Sequence, residues 1–167
     1  QDGIISIFKY STAFIIMIYK HLLAIALLSF SFTVSGQGKV EKINLNGKDY
    51  TVTADIPAAY KLILGRYIYN WGKTSEEPIV ELKADNTGLF QPHDVPAIPI
   101  RFWLDCDENG VVRKQEGVNG RYQLTLLIQY GPGSRIYPEG TYNLMGVAVV
   151  VDQNYAVFYG ERYKKIN

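Results

Sequence analysis

The feature that most restricts the fold is a succession of short β-type segments joined by short connections, from Arg66 onward. The segments are rich in Tyr, Val, Ile and Leu, and turn-forming residues separate them. They cover residues 66–71, 79–85, 88–91, 100–105, 111–116, 121–130, 141–151 and 155–163. A parallel crossover needs about a dozen residues or more, so we expect neighbouring strands to be antiparallel.

These segments predict an all-β fold, an eight-stranded antiparallel up-and-down barrel, because closure removes the sheet edges that promote aggregation. A two-sheet β-sandwich fits the same spacing and is the alternative. Residues 141–151 are apolar on both faces, as expected of a strand that is also covered from outside. Two predicted elements that precede the barrel strands could provide this cover. They are a hairpin around Asn46 and Gly47 and a short N-terminal helix between Asp55 and Gly65.

The start of the chain predicts an export signal. From Met17, the basic residue Lys20 precedes an apolar run over residues 22–34 and two small residues, the order of a secretory signal peptide. An N-terminal membrane anchor is the alternative. The predicted organisation is non-native upstream translation in 1–16, a signal peptide in 17–36, a hairpin and linker in 37–56, and the barrel domain in 57–167. The predicted location is therefore extracytoplasmic, in the periplasm or outside the cell, and the only membrane contact expected is through the export signal.

Composition restricts the function of the mature chain. Without the first 36 residues, 15 basic and 15 acidic residues remain, so the chain is formally neutral and has no basic block for nucleic acid. The single cysteine, Cys106, excludes an intrachain disulfide and is interpreted as a buried apolar residue. The only remaining histidine, His93, lies in a proline-rich loop, with no spacing that pairs it to Ser75 or Ser134 as a nucleophile. We therefore predict that the protein is not an enzyme.

A resemblance to a known family lies in four segments: LILGRYIYNW, IVELKADNTGLF, IRFWLDCDENG and YAVFYGERYKK. Together they resemble the bacterial lipocalin-like proteins of the calycin group, over residues 60–163. That group typically has a Gly-x-Trp motif on the first strand and an arginine near the last strand that packs over the tryptophan. Here Gly65 matches the glycine, Tyr67 stands at the tryptophan position, and Arg162 is the candidate arginine. The resemblance implies a barrel closed at one end and specifies no ligand.

Aromatic residues and one long loop are the candidates for ligand binding. The candidate ligand-binding residues are Tyr67, Tyr69, Trp71, Trp103, Tyr122, Arg135 and Tyr137. Aromatic cross-strand pairs also stabilise sheets without binding anything, and this is the competing interpretation. The loop that carries the last two residues, 131–140, is either a rim loop at the barrel mouth or a simple long hairpin loop.

Residues 105–116 match the calcium-loop pattern D-x-[DN]-x-[DN]-G-x5-E. Side-chain oxygens would come from Asp105, Asp107, Asn109 and Glu116. An EF-hand needs flanking helices, whereas prolines precede this loop and glycines follow it. A hairpin whose Asp, Asn and Gly serve turn geometry is therefore the favoured interpretation, with calcium as the minority hypothesis. No other cofactor is predicted.

The function predicted from these observations is an exported, non-catalytic barrel that binds a small apolar or amphipathic molecule in its lumen. The alternative is an envelope or secreted protein–protein interaction or inhibitor module with a packed barrel. The two differ in the interior, since eight-stranded barrels either fill with side chains or leave room for one small ligand. Ligand identity and oligomeric state are not predicted.

Overall fold

The computed structural model describes residues 39–70, 78–150 and 153–166. The predicted export signal and the residues before it lie outside the described residues. Within those three ranges, no helix is long and apolar enough to cross a membrane. The strands there are β1 (Val40–Leu45), β2 (Lys48–Thr53), β3 (Gly65–Tyr69), β4 (Ile79–Leu82), β5 (Thr87–Gln91), β6 (Ile98–Asp105), β7 (Lys114–Glu116), β8 (Tyr122–Tyr130), β9 (Tyr142–Val150), β10 (Tyr155–Phe158) and β11 (Glu161–Ile166).

Eight of these strands form the closed antiparallel barrel that the sequence predicts. They are β3 to β6 and β8 to β11, and each pairs with the next along the chain. β6 pairs directly with β8, and β11 pairs with β3 to complete the ring. The fold is therefore an up-and-down barrel and not the alternative sandwich.

The predicted number of barrel strands is confirmed, but two of the predicted segments are wrong. Residues 155–163 form two strands, β10 and β11, joined by a tight turn at Tyr159 and Gly160, whose φ angles are 50° and 84°. Tyrosine is a rare residue at positive φ, so this turn lacks the Asn-Gly or Asp-Gly signature of a hairpin. Residues 111–116 supply only the three-residue β7, which runs along β8 beyond the end of β6.

The N-terminal hairpin covers the outside of the barrel. β1 and β2 meet at Asn46 and Gly47, whose φ angles of 52° and 81° are those of a type I′ turn. The hairpin and the outer face of β6, β8 and β9 share an apolar cluster. Its members are Ile43, Leu45, Tyr50, Val52, Ala54, Trp103, Leu127, Tyr142 and Leu144. This cover accounts for the apolar outer face of β9 and confirms the predicted hairpin.

A 3₁₀ helix, Ala58–Ile63, covers one end of the barrel, which we call the closed end. Ile63 is fully buried in the barrel core. The first residues of this helix, preceded by Pro57, have no side-chain cap hydrogen bond in the described part of the chain. Instead, the Tyr67 hydroxyl donates to the carbonyl oxygens of Leu62 and Ile63, each at 3.0 Å. This contact from β3 holds the helix over the strands.

The cation above Tyr67 is Lys165 and not Arg162. The Lys165 Nζ lies 5.6 Å from the centroid of the Tyr67 ring. Arg162 points to the outer face of β11, where its guanidinium lies 4.4 Å from the centroid of the Tyr155 ring. Side chains alternate along a strand, so positions 162 and 165 face opposite sides. Gly65 has a φ of 136°, a conformation that residues with a side chain rarely adopt, which explains the glycine at this position.

The middle of the barrel is filled with large side chains. Those buried to less than 2 % exposure include Tyr67, Phe102, Leu126, Ile128, Met145 and Phe158. They belong to one continuous cluster that extends from the 3₁₀ helix toward the opposite end. Free space for a ligand therefore has to be sought at the barrel's ends or on its outer surface.

Candidate functional site

The residues predicted to bind a ligand lie in several parts of the molecule. Tyr67 and Tyr122 belong to the core at the closed end, where Tyr122 packs edge-to-face on Tyr60 with ring centroids 5.7 Å apart. Trp103 is only 7 % exposed and packs beneath the hairpin on the outer side of the barrel. Trp71 lies outside the described residues. Three of the seven candidates, Tyr67, Tyr122 and Trp103, therefore lie away from the opposite end of the barrel.

The other three candidates lie at the end opposite the 3₁₀ helix, which we call the mouth. The Tyr69 ring is 4.9 Å from that of His93 and 5.8 Å from that of Tyr163. Tyr137 is half-buried in the loop between β8 and β9, whereas Arg135 in the same loop is exposed. The rim-loop interpretation of residues 131–140 is therefore the one that the structure supports.

A cavity of about 230 Å³ opens at the mouth. Five aromatic side chains form most of its wall: Phe90, Tyr130, Tyr137, Tyr159 and Tyr163. Pro92, His93, Asn143 and Glu161 complete the lining. We call this space the mouth cavity. Its floor is the packed core below, because Phe90, Tyr130 and Tyr163 are also members of the core cluster.

The aromatic rings of the wall contact one another at an angle. Phe90 lies 6.2 Å from Tyr130, 5.9 Å from Tyr137 and 5.7 Å from Tyr159, measured between ring centroids. Tyr130 and Tyr137 are 4.9 Å apart. The interplanar angles range from 35° to 84°, so the rings enclose a volume and do not form a flat stack. Such inclined contacts are favourable for aromatic pairs and stabilise the wall in the absence of ligand.

Polar groups occupy one side of the mouth cavity. The His93 Nε2 lies 3.3 Å from both carboxylate oxygens of Glu161. The Tyr163 hydroxyl donates to Glu161 Oε2 at 3.4 Å. The Asn143 amide donates to the Tyr130 hydroxyl at 3.1 Å. The lining that the structure describes therefore includes one carboxylate, one imidazole and no lysine or arginine.

Two of the wall's phenols are held in the neutral form. Tyr159 is 44 % exposed as a whole, but desolvation of its hydroxyl raises its pKa above the ordinary value, and contact with Tyr130 adds to this effect. Burial, followed by the nearby charge of Glu161, raises the pKa of Tyr163 in the same direction. Both side chains therefore present uncharged hydroxyls and ring faces near neutral pH.

Backbone geometry at two places sets the shape of the mouth. Tyr159 has φ of 50°, an uncommon conformation for an aromatic residue and one that typically costs about 1–3 kcal/mol. This turn aims the Tyr159 ring at the cavity. In the β8–β9 loop, Ser134 Oγ accepts hydrogen bonds from the amides of Ile136 and Tyr137 at 3.2 and 3.1 Å. The Ser134 side chain therefore fixes the backbone of the loop that carries Tyr137.

Two other cavities lie elsewhere on the barrel. One of about 70 Å³ lies at the closed end, beside Tyr67, Tyr155 and Lys165. A shallow groove of about 520 Å³ crosses the outer face of β5, β6 and β8, with Lys83, Arg101 and Glu139 along it. The closed-end cavity is too small for most ligands, and the outer groove has no aromatic enclosure like that of the mouth.

The loop with the calcium pattern is a short excursion of the chain between β6 and β7. Asp107 Oδ1 accepts hydrogen bonds from the backbone amides of Asn109 and Val111, at 2.8 and 2.9 Å. The Gly110 amide donates to the Asp107 carbonyl oxygen at 3.0 Å. These contacts are those of an Asp-initiated turn, as the hairpin interpretation expects.

The other residues of that pattern also have partners. Asp105 forms an ion pair with Arg113 at 2.9 Å, and Glu116 forms one with Lys114 on β7. Across the three described ranges, no group of three or more His, Cys, Asp or Glu side chains could hold a metal ion. Calcium binding stays a prediction, which calorimetric titration with Ca²⁺ tests.

Cys106, inside this loop, is fully buried, and burial raises the pKa of its thiol.

Sequence reasoning missed most of the mouth cavity. Phe90, Tyr130 and Tyr159 carried no signal beyond strand periodicity, and His93 was considered only as a catalytic base. One signal in the sequence could have located the mouth cavity. In an up-and-down barrel, every second strand end lies at the same end of the barrel, so residues at those strand ends converge there.

The chain matches no protein-family model, no curated protein and no solved structure.

Proposed function

We propose that this protein is an exported, non-catalytic, lipocalin-like barrel that holds a small apolar or amphipathic molecule in the mouth cavity. The observation that carries the proposal is an aromatic-walled cavity of about 230 Å³ above a packed core. Small barrels either fill their interior or keep room for one ligand. Here the closed end and middle are filled, so the ligand would sit at the mouth.

The size of the cavity limits the ligand. An engineered apolar cavity of about 150 Å³ holds benzene, and drug-sized ligands occupy about 300–1,000 Å³. The mouth cavity lies between these values. A deeper ligand would have to displace Phe102, Phe158 or Met145, each fully buried. A ligand of one ring, or a chain of a few carbons with a polar head, therefore fits best.

The lining supports binding better than catalysis. Its rings supply apolar surface, while the hydroxyl of Tyr163, the amide of Asn143 and the carboxylate of Glu161 supply polar contacts on one side. Among the lining residues that the structure describes, none is a serine, threonine, cysteine or lysine nucleophile. His93 is paired with Glu161 and has no nucleophile among these neighbours to activate.

Export and the lipocalin-like assignment have separate support. Export is supported by the signal pattern of residues 17–36, and a mature N-terminus near Gln37 is the expected result of mass spectrometry on the purified protein. An N-terminus before Leu22 would contradict it. The family assignment is supported by the helix-then-meander order, whereas Tyr67 and Lys165 stand at the closed end in place of the family's tryptophan and arginine.

A panel of three six-carbon compounds tests the binding proposal: hexan-1-ol, hexanoate and hexylammonium. We expect at least one to raise the melting temperature of the protein and to give saturable heat in calorimetric titration. The Tyr137→Ala variant should weaken that binding, because it removes one wall of the mouth cavity. Tyr50→Ala, which alters the outer hairpin, should leave the affinity unchanged. No response to any compound of the panel would contradict the proposal.

The packed middle of the barrel favours a second candidate function, a protein-interaction module. The surface for it is the outer groove of about 520 Å³, where Lys83, Arg101 and Glu139 offer charges of both signs. Affinity capture with wild-type protein and with an Arg101→Glu variant separates the two functions. A partner that binds wild-type protein and not this variant, together with no response to the six-carbon panel, would favour the interaction module.

A further inference from the structure

The chemistry of the mouth cavity points to the charge of its ligand. We infer that the cavity binds the head of a small alkylated ammonium ion, enclosed by the faces of its tyrosines and close to the carboxylate of Glu161. This inference rests on the proposed function and adds to it the chemical class of the ligand.

The aromatic wall is suited to a cation that cannot donate hydrogen bonds. The faces of aromatic rings carry negative potential, and cages of several rings bind quaternary ammonium groups by this attraction. Phe90, Tyr130, Tyr137 and Tyr159 have centroids 4.9–6.2 Å apart and mutually inclined planes. A compact head placed among them meets several rings at once. The neutral state of the Tyr159 phenol, which burial favours, preserves this π surface.

The fixed charges at the cavity favour a cation over an anion. Glu161 is the single carboxylate of the described lining, and no lysine or arginine belongs to that lining. The imidazole of His93 is already within 3.3 Å of the Glu161 carboxylate. An anionic ligand that approached His93 would therefore also meet the Glu161 charge, whereas a cationic head would be attracted by it.

The test compares choline with its neutral isostere 3,3-dimethylbutan-1-ol, in which carbon replaces nitrogen and the shape is retained. Calorimetric titrations are run on the purified protein at about pH 8, above the range in which histidine usually titrates. Choline is expected to bind about tenfold more tightly than the isostere, the size of a partly desolvated cation–π effect. Equal or weaker binding of choline would overturn the inference.

Two variants separate the cation effect from simple apolar contact. Tyr137→Leu removes a π face but keeps apolar bulk, and Glu161→Gln removes the charge while keeping a similar size. Each should lower choline affinity severalfold and leave the affinity for the isostere nearly unchanged. Tyr50→Leu, on the outer hairpin, is the matched control and should change neither affinity. Equal losses for both ligands in both variants would overturn the inference.

The cation preference and the binding of any ligand at the mouth fail on different results. If the isostere or hexan-1-ol binds at the mouth and choline binds no better, the cavity is an apolar ligand site and only the cation inference fails. If neither choline, the isostere nor any compound of the six-carbon panel binds, the proposed function fails as well.

Discussion

At the scale of single residues, two tyrosines at the closed end differ in how their buried hydroxyls are satisfied. Tyr67 donates to the carbonyl oxygens of Leu62 and Ile63. The hydroxyl of Tyr122 is buried and has no hydrogen-bond partner among the described residues. A buried polar group without a partner costs free energy, whereas a hydrogen-bonded one contributes modestly to stability. The two residues therefore form a natural pair for comparison.

We expect Tyr67→Phe to lower the free energy of unfolding by about 1–3 kcal/mol, because it leaves the buried Ile63 carbonyl oxygen without its donor. The Leu62 carbonyl oxygen still accepts a hydrogen bond from Lys165 Nζ at 3.1 Å. Tyr122→Phe should leave it unchanged within about 0.5 kcal/mol or raise it, because it removes an unsatisfied hydroxyl. Urea unfolding of both variants beside the wild-type protein measures the difference. A larger loss for Tyr122→Phe than for Tyr67→Phe would show that the hydrogen bonds at the closed end are wrongly assigned.

The buried phenols also predict how stability depends on pH. Burial raises the pKa of Tyr67, Tyr159 and Tyr163, whereas the same residues in the unfolded chain ionise near about pH 10. Above that pH the unfolded state binds fewer protons than the native state, so the free energy of unfolding should fall as pH rises. Lys165, whose pKa burial lowers, acts in the opposite sense, but it is one group against three.

Denaturant unfolding at a series of pH values, with tyrosinate absorbance recorded in parallel, measures this dependence. We expect little change between about pH 7 and 9 and a steep loss of stability above about pH 10. In Tyr67→Phe the slope above pH 10 should be smaller, since one late-ionising phenol is gone. Ionisation of all the tyrosines at about pH 10 in protein that is still folded would contradict the burial of these hydroxyls.

At the scale of elements, the hairpin β1–β2 is an attached cover and not part of the barrel ring. It pairs with β6 at only two positions, Val52 with Asp105 and Thr53 with Leu104. The Cys106 amide also donates to the Thr51 carbonyl oxygen at 2.9 Å, and Lys42 forms an ion pair with Glu108 at 3.1 Å. Apolar contact around Val52 and Trp103 on the outer face adds to this attachment. Because the ring closes without the hairpin, the cover should detach before the barrel unfolds.

Val52→Asp tests this attachment, because it puts a carboxylate into a fully buried position. In a Trp71→Phe background, we expect the fluorescence of Trp103 to shift to longer wavelength while the circular dichroism of the barrel is retained. Thr51→Asp, the next residue and on the opposite face of β2, is the control and should leave the emission of Trp103 unchanged. An unchanged emission in both variants would mean that the hairpin does not cover Trp103.

At the scale of the whole molecule, periodicity and connection length predicted an all-β antiparallel fold but fitted a sandwich as well as the barrel that the structure has. Short connections imposed antiparallel neighbours, and the Asn46-Gly47 turn fixed the hairpin. The turn at Tyr159 was missed because tyrosine at positive φ is held by its surroundings and not by local propensity. For the same reason the mouth cavity was largely missed, since Phe90, Tyr130 and Tyr159 meet only after the ring has closed. A strand pattern gives the direction of a side chain but not its partner from a distant strand.

We expect the ligand site at the mouth and not along the lumen or on the outer surface. Nuclear magnetic resonance of labelled protein, titrated with the tightest compound of the six-carbon panel, tests it by mapping amide shifts onto the structure. A ligand at the mouth should give the largest shifts at residues 90–95, 130–143 and 158–163. Largest shifts around Ile63 and Lys165, or along the outer groove at Lys83 and Arg101, would contradict it.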